Sequence, residues 1–202
     1  MKKRLAILLL MGVLAISGCE LTINNEPVSI KKKDDTVSPY ELTDKESELI
    51  NLTSASQGDL LVYKIELADK RDFETKIDYY QNGKLSNTLM AMTNEIQKGN
   101  SLMSFEIRQF SDKEPTWHEF FIAGEFGFAS AREESASPTV ASSNVSISEK
   151  KKLPHNKFIA IGAFIKDTKD GQISAASMDA KEAFNDLIKE NENVYVFSCK
   201  IK

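Results

Sequence analysis

Cysteine and histidine are nearly absent from this chain, and each scarcity excludes a class of protein. Cys19 and Cys199 are the only cysteines, so a disulfide framework is excluded. His118 and His155 are the only histidines, so metal cages built on Cys or Cys/His ligands are excluded too. No apolar run reaches the ~20 residues that a bilayer core demands. The longest, Leu5 to Ile16, has about 12. Basic residues are outnumbered, 26 against 30, for a formal net charge of −4. Such a balance is a poor match to nucleic acid. Catalytic signatures are missing as well. No serine lies in a Gly-x-Ser-x-Gly elbow. Gly124-Glu125-Phe126-Gly127 has neither the spacing nor the Lys-Ser/Thr of a phosphate loop. Asp167, Lys169, Asp170 and Gly171 lack the alternating oxygen ligands and closing Glu of an EF-hand, and read as a turn. No metal or cofactor is expected.

What is present starts at the N-terminus. Lys2, Lys3 and Arg4 precede the apolar run, and Ala15-Ile16-Ser17-Gly18-Cys19 closes it. A basic flank, a short apolar stretch and small residues before a cut are the parts of an export signal. With Cys19 directly after Ser17 and Gly18, residues 1–19 resemble a bacterial lipoprotein signal peptide. That resemblance implies cleavage between Gly18 and Cys19, a diacylglyceryl group on the Cys19 sulfur, and a place on the extracytoplasmic face of the cell membrane. Loss of residues 1–18 removes Lys2, Lys3 and Arg4 and no acid, taking the net charge from −4 to −7.

Residues 19–40 read as a flexible tether, because Pro27, Pro39 and Lys31-Lys32-Lys33-Asp34-Asp35 break any apolar periodicity. Such a segment spans on the order of 25 Å. Residues 41–202 read as one mostly β domain. Thr43 to Leu52 is a short helix with capping-box spacing at Thr43 and Glu46, and its leucines could pack onto the domain. From Leu61 the period becomes two, with Tyr63, Ile65 and Leu67 on one face. Asn82-Gly83 between Thr75–Gln81 and Lys84–Thr93 marks a hairpin. Strand patterns recur at Leu102–Phe110, Trp117–Ala123, Phe126–Arg132, Val145–Ser148 and Lys157–Lys166. Glu133 to Asn144 reads as a surface loop. Asp179 to Glu190 is an amphipathic helix with Asp179 as cap and Ala180, Ala183, Phe184, Leu187 and Ile188 as its apolar stripe. Val194 to Ile201 is the last strand, with Cys199 pointing inward. About nine strands with one early helix and one before the last strand predict an antiparallel β-sandwich or open barrel.

Glu41-Leu42-Thr43-Asp44-Lys45-Glu46, Tyr80-Gln81-Asn82-Gly83-Lys84, Phe158-Ile159-Ala160-Ile161 and Val194-Tyr195-Val196-Phe197 resemble stretches of a group of Gram-positive membrane-anchored lipoproteins. That resemblance implies class and location and carries no mechanism. The segment richest in aromatics holds Trp117, Phe120, Phe121, Phe126 and Phe128, read chiefly as core. Trp117, His118 and Phe121 are the candidate binding residues. His118 and Glu119 fall on opposite faces of a strand, so they are no local acid–base pair. His155, in Leu153-Pro154-His155-Asn156, reads as an exposed turn residue. The expectation is a lipid-anchored, non-catalytic binding or accessory module whose partner is an envelope protein or wall polymer. An envelope hydrolase would need His118 in an open cleft with two carboxylates. A small-ligand carrier would need a closed apolar cavity of several hundred Å³.

Overall fold

The computed structural model describes residues 33–52, 59–110, 116–135, 139–175 and 178–202. Their alternating patterns form two antiparallel sheets that stay separate ladders among the described residues. One sheet has the order β7-β6-β5-β2-β1-β9, made of Gly127–Ser135, Thr116–Gly124, Gly99–Phe110, Asp59–Leu67, Thr36–Pro39 and Lys151–Lys152. The other has the order β4-β3-β11-β10-β8, made of Lys84–Ile96, Arg71–Gln81, Asn193–Ile201, Ile159–Asp167 and Ala141–Ser146. Two short helices complete the fold among the described residues, α1 (Asp44–Asn51) and α2 (Lys181–Glu190) before the last strand. The fold is the mostly β architecture that the sequence predicts, without a closed barrel.

The inner faces meet in one apolar core. Tyr63 and Ile65 of β2 are fully buried and Leu67 nearly so, as their period-two spacing demands. Phe105 of β5 stacks on Phe197 of β11 with centroids 4.7 Å apart. Burying a ring of this size is worth about 1.5–3 kcal/mol relative to exposure. Tyr63 also ties the sheets together, since its hydroxyl donates to the Ile161 carbonyl at 2.9 Å. Cys199 is buried, and burial pushes its thiol up. Asn82 and Gly83 both take positive φ at the β3–β4 turn, as an Asn-Gly hairpin requires. Thr43 and Glu46 form the reciprocal capping box of α1.

Several expectations need correction. The tether does not extend to Tyr40: residues 36–39 form β1, which pairs with β2 and β9. Four residues are too few for a periodicity signal. The segment is held by tertiary partners: Val37 is fully buried, and Asp35 accepts from Ala68 N at 2.6 Å and pairs with Arg71 at 3.3 Å. Residues 18 and 19, and the tether before Lys33, lie outside the described residues. The stretch 133–144 is not all loop, because β7 runs to Ser135 and β8 begins at Ala141. Helix α1 does not dock through its leucines; Leu49 and Leu52 are 65% and 80% exposed. Asp179 does not cap α2. Its carboxylate accepts from Ser148 N and Oγ instead, and the N-cap is Ala180. Leu187 and Ile188 of α2 are buried as the stripe predicts.

Candidate binding face

β6 has two unlike sides because a strand alternates its side chains. His118, Phe120 and Ile122 point into the core and are fully buried. Trp117, Glu119, Phe121 and Ala123 point outward from the six-stranded sheet. Phe121 meets Phe128 of β7 with ring centroids 5.7 Å apart, and Phe128 is 64% exposed. Two arginines lie over these rings. The Arg108 guanidinium is 4.6 Å from the Phe121 centroid and that of Arg132 is 5.9 Å from Trp117. Each contact of this kind adds about 0.5–1 kcal/mol at an exposed site.

Carboxylates hold the arginines in place. Arg108, Glu119 and Arg132 are cross-strand neighbours on β5, β6 and β7, a row of alternating charge. Arg132 Nη2 donates to Glu119 Oε1 at 3.2 Å. Arg108 donates through both Nε and Nη2 to Glu106, the latter at 3.0 Å. The carboxylates are the more covered partners, so the guanidiniums and rings form the outermost layer.

The aromatic segment therefore divides. Trp117, Phe121 and Phe128 face out. Phe120 is core, and Phe126 packs edge-on against Phe73 at 5.8 Å. Trp117 and Phe121 share the outer side of β6, as strand alternation predicts, whereas His118 is on the other side of the strand. Phe128, Arg108 and Arg132 complete the face, and only strand register brings them there. The signal available in sequence was the alternation of Phe128 with Ala129 and of Arg132 with Ala131.

Behind the face, His118 sits between Phe120 and Phe164, with ring centroids at 6.4 and 6.3 Å. Neither ring nitrogen has a hydrogen-bond partner among the described residues. Burial, reinforced by the nearby Lys166 charge, lowers its pKa to about 4. Glu133 is its cross-strand partner on β7. Burial raises the Glu133 carboxyl, against the opposing influence of Tyr195, which donates to it at 2.5 Å, and of Lys166. Burial likewise lowers Lys166, while Glu133 and Glu192 oppose the shift. Tyr195 stacks on Tyr79 at 4.8 Å, and the Tyr79 phenol is pushed up to about 12 by burial and then by Glu133. This histidine is enclosed and is in no open cleft. His155 is exposed and bridges to Ile201.

A polar groove of about 310 Å³ lies elsewhere, lined in part by Asn82, Asp167, Lys169, Asn191 and Glu192. Its Asp167 turn is closed by backbone N–H groups: Oδ2 accepts from Lys169, Asp170 and Gly171. Among the described residues no group of three or more His, Cys, Asp or Glu is placed to hold a metal ion. No helix among them is long and apolar enough to cross a membrane. No curated protein and no solved structure matches the chain. A family model does match residues 36–201, from the first residue of β1 to the last of β11, and the chain belongs to the YgaN domain family.

Proposed function

We propose that this protein is a lipid-anchored, extracytoplasmic binding module that docks an envelope component on the outer face of β5, β6 and β7. The observation that carries the reading is the layer of Trp117, Phe121 and Phe128 under Arg108 and Arg132. Trp and Arg dominate binding hot spots, because each combines a large apolar surface with a directed polar group. The guanidiniums already have carboxylate partners in Glu106 and Glu119, which reduces the side-chain entropy lost on docking. An envelope protein or a wall polymer fits this chemistry. The anchor rests on Lys2 to Cys19: acylated Cys19 would hold the chain at the membrane, and the segment before β1 would lift the domain from it.

Two measurements test the two halves. For the anchor, Cys19→Ala abolishes incorporation of labelled palmitate and releases the protein from membranes; retention of label would contradict lipidation. For the face, detergent-solubilised full chain binds isolated envelopes saturably, and the Phe121→Ala/Phe128→Ala double variant binds about 10-fold or more weakly. Equal binding by a folded double variant would rule this face out.

A further inference from the structure

The binding face and the buried polar cluster are two sides of one ladder. The His118–Glu133 pair between β6 and β7 is flanked directly by Trp117–Glu134 and Glu119–Arg132. Two of those three pairs belong to the outer face. A backbone shift at His118 or Glu133 is therefore carried to the outer face, since their chain neighbours point that way.

The inner pair is charge-balanced only while Glu133 is ionised and His118 is neutral. Lys166 from β10 then offsets Glu133 from β7, and the imidazole adds nothing. Tyr195 of β11 and Tyr79 of β3 face the same space as uncharged phenols, and β8 contributes Asn144, whose buried Oδ1 has no partner among the described residues. Glu192, kept ionised by Lys169 and Thr168, acts on Lys166 from the turn before β11. Protonating Glu133 and His118 leaves two like charges, His118 and Lys166, on facing sheets in a low-dielectric interior. The sheets are tied at this end by the Tyr195–Glu133 hydrogen bond; protonation of Glu133 weakens that tie without adding a repulsion, and the repulsion that shifts the ladder arrives only with the His118 proton.

We propose that the His118–Glu133 pair makes the outer face acid-responsive, so that protonation between the sheets shifts the β6–β7 ladder and lowers the affinity of the Trp117 face for its partner. The affinity half rests on the binding reading above, and the ladder half does not. Trp117 is the chain's one tryptophan, so its emission reports this face alone.

The experiment follows full-length protein in detergent from about pH 7 to about pH 3. Trp117 emission, the His118 Cε1–H NMR shift and far-UV circular dichroism are recorded together, and envelope binding is measured over the same range. Trp117 emission steps with a midpoint near pH 4, together with the His118 titration, while the β signal persists. His118→Phe removes the step. A flat Trp117 signal, or a step that survives in His118→Phe, overturns the proposal. Should His118→Phe not fold, unequal midpoints for Trp117 and His118 in the wild type overturn it equally. A Trp117 step with binding unchanged across it refutes the affinity half. No binding at neutral pH sinks the binding reading, and the ladder response is still measured.

Discussion

Gly162 of β10 lies against the Tyr63 hydroxyl of β2 in the facing sheet, and this close approach predicts that their energetics are coupled. β10 is irregular here, with a register shift between Ala160 and Gly162 against β11. The shift brings the Ile161 carbonyl to the Tyr63 hydroxyl at 2.9 Å, and Ser146 Oγ lies 2.9 Å from the same hydroxyl. A Cβ at position 162 would collide with Tyr63 Oη and approach Leu61 Cδ1 to 2.9 Å. Gly162→Ala is therefore an overpacking change costing about 2–3 kcal/mol. Tyr63→Phe takes one of two donors from the Ile161 carbonyl, which keeps the Ile147 N–H at 2.9 Å, and costs about 1 kcal/mol. The double variant removes the oxygen that the new methyl meets, so the single costs do not add. The expected coupling is about 1–2 kcal/mol in favour of the double variant. Urea denaturation of the four proteins, followed by far-UV circular dichroism, gives the cycle. Costs that add within about 0.5 kcal/mol would refute the argument that Gly162 is glycine because of Tyr63.

Two further predictions concern stability. His118 is lowered from 6.5 to about 4 in the fold, so the unfolded chain binds more protons between those values. Its contribution is present above about pH 6.5 and is lost as pH falls toward about 4, by at most about 3 kcal/mol. Glu133 acts with the opposite sign, since its raised pKa relieves a cost as the group protonates. Denaturation from neutral to acid pH checks this: His118→Phe flattens the acid decline, and an unchanged slope would contradict a neutral buried imidazole. Gly83→Ala places a Cβ in ordinary contact with Lys189 Cα at 3.5 Å, so only the φ of +80° opposes it. The cost is about 1–2 kcal/mol, and calorimetry showing none would mean that the turn changes type.

Local patterns were legible and spatial meetings were not. The alternation at Tyr63, Ile65 and Leu67, the Asn82-Gly83 turn and the Thr43–Glu46 box each lie within a few residues, and each stands where the sequence predicts. β1 was missed because its strandedness comes from partners at Tyr63–Glu66 and Lys151–Lys152. Asp179 was misread because its hydrogen-bond partner, Ser148, is 31 residues away. The same holds for the site. Trp117 and Phe121 were visible from one strand, but Phe128, Arg108 and Arg132 join them only through the registers of β5, β6 and β7. The companions of His118, namely Glu133 and Lys166, come from two other strands in two sheets. Sequence spacing carries no information about either.

The central claim is that one side of one sheet meets the partner. A photo-crosslinking residue placed at Phe128 in living cells, against the same residue at Leu85 on the other sheet's β4, tests it most directly, because both positions are exposed to a similar degree. The account predicts a discrete adduct from position 128, weakened by Trp117→Ala, and none from position 85. Adducts of equal yield from both positions, or none from 128, would contradict it.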